Sequence, residues 1–82
     1  MVRNLSICHH IYYERIKKLE ILGRNIRVER VRAGLTQEEL AERIDINCKH
    51  LGAIERGKIN PRFLTLLAII EEFKISFNDL YN

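Results

Sequence analysis

Three groups of residues carry side chains with chemistry of their own: Ser6 with Cys8-His9-His10, then Cys48 with His50, and finally Lys49, Arg56, Lys58 and Arg62, which have only Glu55 among them. The thiols and imidazoles match no common zinc spacing, and adjacent residues on a helix point about 100° apart. No metal is assigned. Ser6 near two histidines has no placed acid and no oxyanion donor, so no catalytic residue is assigned either, and no cofactor is implied. A redox role for Cys48 would need a lowered pKa and a partner thiol. The four bases point to a different chemistry, the binding of a polyanion by a positively charged face.

These bases need a scaffold, and the stretch Thr36 to Gly57 supplies one. Thr36 and Glu39 have the spacing of a capping box, with Leu35 and Leu40 as a hydrophobic staple across it. Asn47 repeats the device as the N-cap of a second helix, with Ile46 stapled to Leu51. Gly57 is the left-handed stop. Only Asp45, Ile46 and Asn47 separate the two helices, enough for the roughly 90–120° corner of a helix-turn-helix. Leu40, Ala41 and Ile44 face inward on the first helix, and Leu51 and Ile54 on the second. Cys48, Lys49, Gly52, Ala53 and Arg56 are left on the outer side.

Leu35-Thr36-Gln37-Glu38-Glu39-Leu40-Ala41, Ile54-Glu55-Arg56-Gly57-Lys58 and Asn60-Pro61 together resemble the phage repressor/Cro-type (XRE-like) helix-turn-helix family. The resemblance runs from about Leu22 to Leu80. It departs at Asp45, where that family has Gly in the turn; Asp enters the left-handed region with less penalty than most residues but more than Gly. The resemblance implies an all-α, compact five-helix repressor-like domain that binds double-stranded DNA. It implies base-edge contacts from Cys48, Lys49 and Ala53, with the lysine suited to guanine and Ala53 to a thymine methyl. Gln37, Arg24, His50, Arg56, Lys58 and Arg62 are the implied phosphate contacts. Arg30 is implied to pair, partly buried, with Glu55. A glutamate at the edge of an inward helix face needs such a partner, because an unpaired buried charge is very costly. The implied dimer contact lies near the last helix, around Phe77, Leu80 and Tyr81.

The rest of the chain agrees with this class. Its 82 residues make one domain with a thin core, and 46% apolar with 30% charged residues is ordinary for a globular protein. Residues 1–34 hold eight bases against three acids, whereas residues 35–82 hold six against eight. Leu22, Ile26 and Val31 are expected as apolar contacts of a helix that Gly34 ends. Gly23 within it costs about 1 kcal/mol against Ala; the resembling family often has Gly here, which implies a close approach of backbone or partner. Asn60 is expected to cap a helix with Pro61 at its first position, Ile59 stapled to Leu64, and Phe63, Leu66, Leu67, Ile70 and Phe73 on its buried side. Glu71 and Glu72 are expected to be solvated. Ser76 and Asp79 should open a last short helix.

Residues 1–19 lie outside the resemblance and form an N-terminal extension to the domain of residues 20–82. Ile7, Ile11, Ile16 and Leu19, with Tyr12 helping, fall roughly on one face at helical spacing, and a helix there would enlarge either the core or a dimer interface; Ile7, Ile11 and Tyr12 are the candidate interface residues. The expected function is a sequence-specific transcriptional regulator, homodimeric on an inverted-repeat operator, of repressor or restriction–modification controller type. The alternative is an antitoxin-like or scaffold domain whose main partner is a protein. No signal peptide or membrane-length apolar run is present, so a cytoplasmic protein with free thiols, no membrane partner and no small-molecule effector domain is expected.

Overall fold

The computed structural model describes residues 5–82, with side chains from His10 onward. Five helices follow in order: α1 (Leu5–Arg32), α2 (Gln37–Arg43), α3 (Cys48–Glu55), α4 (Phe63–Phe73) and α5 (Phe77–Tyr81). α1 is unbroken through Leu19, Glu20 and Gly23, so the expected extension and the first helix of the domain are one element. α3 and α5 pack against α1 and α2 packs on α3, and the shared core is Leu22, Ile26, Leu40, Ala41, Ile44, Leu51, Ile54, Leu66, Ile69 and Leu80.

Helix exits follow a single rule. Gly34, Asp45, Gly57 and Lys74 have φ of 73°, 59°, 72° and 54°, and each closes the helix before it. At every exit the residue beyond returns a backbone bond to the last turn: Leu35 to the Arg30 carbonyl (3.1 Å), Ile46 to Ala41 (2.9 Å), Lys58 to Ala53 (2.9 Å) and Ile75 to Ile70 (3.2 Å). These are Schellman closures, which satisfy carbonyls the helix leaves orphaned. Lys74 is the unexpected member, since nothing in its side chain favours the left-handed region.

Gly23 marks the tightest crossing. A Cβ there would overlap the Ile54 carbonyl oxygen and stand 2.6 Å from that of Glu55, so α1 and the end of α3 touch backbone to backbone. Asn25 ties α5 to α1 by donating its amide to the carbonyls of Leu80 (2.7 Å) and Asn82 (2.8 Å). Arg43 at the end of α2 reaches Glu72 of α4 at 2.7 Å, and the carboxylate raises the guanidinium's pKa further.

Several expected positions are corrected. α4 begins at Phe63, not Pro61, with Arg62 as an N-cap that makes no side-chain bond. Residues 58–62 run without helix and bury Pro61, which shifts the helix start and turns its inward face onto Leu66 and Ile69. Leu64 is therefore 75% exposed and is not a staple partner for Ile59, and Phe63 stacks on Phe77 (centroids 6.2 Å apart) instead of entering the core. Val31 is exposed because it lies across α1 from Ile26. Glu72 is half-buried in its pair with Arg43. Leu80, expected at a dimer surface, is completely buried, because α5 docks on α1 through that residue.

Candidate nucleic-acid interface

The α2–α3 corner is held at its start by local bonds. The Glu39 N–H donates to Thr36 Oγ1 (3.1 Å), and the Thr36 N–H donates to Glu39 Oε1 (2.8 Å). That backbone donor, with the Thr36 hydroxyl, holds the Glu39 carboxyl below its ordinary value. Asn47 caps α3 by accepting from the Lys49 N–H at 2.7 Å. Between the two caps, Asp45 takes the left-handed position that allows the sharp reversal.

Behind the corner lies a charged cluster. Arg30 donates from Nε to Glu55 Oε2 (2.7 Å) and from Nη2 to Oε1 (3.1 Å), the two-point geometry that suits guanidinium to carboxylate. Its Nη1 donates to the Leu35 carbonyl at 2.8 Å, which fixes the loop leading into α2. A third donor, Gln37 Nε2, reaches Glu55 Oε1 at 3.0 Å from the first turn of α2. Glu55 is 7% exposed, yet three charge-assisted bonds meet it. The cluster binds α1, the α1–α2 loop, α2 and α3 to one another, so the angle between α2 and α3 is set from beneath. Sequence reading anticipated Arg30 and Glu55 but missed Gln37 as the third donor; its place one residue after a cap was the only signal.

The outer side of the corner holds the candidate contacts. Lys49, Arg56, Lys58 and Arg62 are exposed, and His50, Ala53 and Gln37 are half-buried. Arg24 stands elsewhere, with Arg27 and Arg32 on α1 around the exposed Val28 and Val31. Cys48 is half-buried and packs against the core, so its thiol is less available than the outward position expected of it. Gly52 is buried, not outward. A Cβ there would sit 3.2 Å from Arg56 Nη1 and 3.5 Å from Gln37 Oε1. Its missing side chain makes room for those two residues over α3, where the sequence places Gly52 on the outer side.

Ile7, Cys8 and His9 lie outside the described side chains. Among the described residues no three of His, Cys, Asp and Glu gather as a metal site, and no helix is long and apolar enough to cross a membrane.

Two short capped helices at a sharp corner, buttressed by a longer first helix, define a helix-turn-helix domain. The helix-turn-helix family model matches residues 26–80, and this chain belongs to that family. An uncharacterised HTH-type transcriptional regulator, y4dJ of Sinorhizobium fredii, is 33% identical over 61 residues, spanning 74% of this chain and 79% of that one. An uncharacterised HTH-type transcriptional regulator of Archaeoglobus fulgidus is 34% identical over 56 residues, spanning 68% and 80%. Among solved structures, the restriction-modification controller protein C.AhdI of Aeromonas hydrophila superposes with a TM-score of 0.72 at 28% identity, covering 77% of this chain and 96% of that one.

Proposed function

We propose that the chain is a sequence-specific DNA-binding transcriptional regulator, acting in the cytoplasm as a homodimer on an operator of two inverted half-sites. The observation that carries the reading is the α2–α3 corner, locked from beneath by Arg30, Glu55 and Gln37 and bordered by Lys49, Arg56, Lys58 and Arg62. Membership of the helix-turn-helix family and the likeness to a restriction-modification controller support it.

In this reading α3 enters the major groove. Lys49 donates to guanine O6 and N7, and Ala53 packs on a thymine methyl. Cys48 lies at the edge of that contact. The first-turn N–H of Gln37, which has no intrahelical acceptor, meets a phosphate. Arg56, Lys58 and Arg62, with His50, hold phosphates on either side, and Arg24 adds charge at longer range. The chemistry is recognition, and no covalent step belongs to it.

Selection of bound molecules from a random-sequence duplex pool tests the reading. Enrichment of an inverted repeat with half-site centres one helical turn apart, ~34–36 Å, is expected. A single unrepeated motif would remove the two-fold part and leave DNA recognition standing. No retained DNA at low salt would overturn the whole reading in favour of a protein-binding module.

A further inference from the structure

Gly52 and Arg56 stand one turn apart on α3, with Arg56 as its C-cap. A helical side chain lies back over the turn before its own, so Arg56 runs back across Gly52. The point where a Cβ on Gly52 would sit is 3.2 Å from Arg56 Nη1 and 3.5 Å from Gln37 Oε1. One side chain comes from the end of α3 and the other from the start of α2, and they come together over the one position of α3 without a side chain of its own.

The polarity of this meeting is set from beneath. The Glu55 carboxylate only accepts, so the Gln37 amide turns its nitrogen to it, in the 3.0 Å bond from Nε2 to Oε1. The carbonyl end of the amide is left over Gly52, on the side of a guanidinium that only donates. Glu55 is itself occupied by Arg30 and Gln37, and among the described residues Arg56 belongs to no ion pair. The charge of Arg56 is steered without being neutralised.

We infer that Gly52 and Gln37 are positioning residues for Arg56: the gap at Gly52 is a seat that holds the guanidinium beside the Gln37 carbonyl oxygen and ties a base of the DNA face to the buried Arg30–Glu55 cluster. The inference rests on the DNA-binding reading above and deepens it, by giving one phosphate contact a fixed place. A long side chain loses rotamer freedom when it meets a phosphate, and a seated arginine has lost part of it before DNA arrives. The rival use of Gly52 is clearance, a bare helix surface that lets a duplex come close. A cycle of single and double variants separates the two uses.

The test uses the full chain and the operator selected from the random pool. Ala forms helix better than Gly, so Gly52→Ala should melt no lower than the native chain while its methyl displaces the guanidinium slightly. Gly52→Leu fills the seat. Arg56→Ala should weaken operator binding by about tenfold, Gly52→Ala by about threefold, and Gly52→Leu by as much as Arg56→Ala. Gly52→Leu and Arg56→Ala should also lower the salt slope alike, by about one per half-site. On the Arg56→Ala background neither change at Gly52 should cost anything further. Thermal melts check each fold, and the Gly52→Ala arm decides alone if the leucine disturbs the crossing of α2 over α3. Equal costs on both backgrounds would make Gly52 a clearance for the duplex, and no cost on either would mean that Arg56 needs no seat; each result overturns the inference. The free chain gives a second readout. Nitrogen relaxation of the Arg56 side-chain N–H should show restricted motion, which Gly52→Leu and Gln37→Ala should both release, the latter while keeping the backbone N–H of Gln37. An Arg56 side chain as mobile in the native chain as in these variants would also overturn the inference. A restrained Arg56 in a chain that retains no DNA would leave the seat standing and remove the DNA-binding reading.

Discussion

At the residue scale, Glu55 decides more than any base does. Its carboxylate is withdrawn from water and matched by Arg30 from α1 and Gln37 from α2, so losing one partner strands the rest. Arg30→Met should destabilise by ~3–5 kcal/mol, because it leaves a buried carboxylate with a single donor. Adding Glu55→Leu should recover much of that loss, and urea melts of both single variants and the double measure the coupling. Strictly additive losses would mean that the bidentate geometry contributes nothing. The exposed bases predict a contrast of a different kind. Lys49→Ala should cost ~1–3 kcal/mol on the selected operator and relax preference at one base pair, as loss of a base contact does. Arg62→Ala should weaken all sequences alike and lower the salt slope by about one per half-site. Equal losses on operator and random DNA for Lys49→Ala would move that lysine to the phosphate contacts.

At the scale of elements, the helices are delimited by their ends more than by their interiors. Four Schellman closures in one short chain require four left-handed residues, and two of them are not glycine. For an ordinary L-residue that conformation costs ~1–2 kcal/mol, partly offset when Gly adds freedom to the unfolded chain. Lys74→Gly should therefore stabilise the fold by ~0.5–1 kcal/mol, and Asp45→Gly by less, because Asp tolerates the region better. Thermal melts of the two variants side by side give the order; a destabilised Lys74→Gly would show that the lysine stem contributes packing. The start of α2 predicts a pH dependence. Hydrogen bonds from Thr36 lower the Glu39 pKa from its ordinary 4.5, so the charged carboxylate favours the folded state. That contribution is complete above about 4.5 and is lost as pH falls through the lowered value. The stability difference between the native chain and Glu39→Gln should thus be greatest near neutrality and shrink below pH 4.5, and a difference constant with pH would show that the amide caps equally well.

At the scale of the whole molecule, shape and charge divide the work. The body is 24 × 19 Å across, but α1 draws the long axis out to 50 Å, so one helix both supports the corner and projects beyond it. The two ends differ in character: the corner carries exposed bases, and the projecting part of α1 carries the exposed Ile11, Tyr12 and Tyr13. If Arg56, Lys58 and Arg62 each neutralise one phosphate in both halves of a two-fold complex, log K against log salt should fall with a slope of about −5, and about half that on a single half-site. A slope no steeper on the full operator than on the half-site would show that one protomer makes all the contacts.

How far the chain could be read before folding varies with the range of the interactions involved. Capping residues, staples and glycine stops act over three to five positions, so the starts and stops of the two helices between Thr36 and Gly57 were legible, with Asp45 taking the left-handed position where Gly was the expected residue. The Arg30–Glu55 pair was legible because a glutamate beside an inward face demands a cation and the family resemblance named one. What failed was the start of α4 and the inward placing of Phe63, while Leu66, Ile70 and Phe73 pack on the core as expected. The non-helical link before α4, with Pro61 buried, depends on how far the chain must travel from α3 to reach the core, and no local signal encodes that distance. Gly52 was grouped with the outward side because its neighbours face outward, but the crossing of α2 over α3 brings Gln37, with Arg56, above it. Leu80 looked like an interface residue until the docking of α5 on Asn25 and α1 buried it. Bonds between neighbours in sequence settle where helices start and stop; which side of a helix meets solvent is settled by the other helices packed against it.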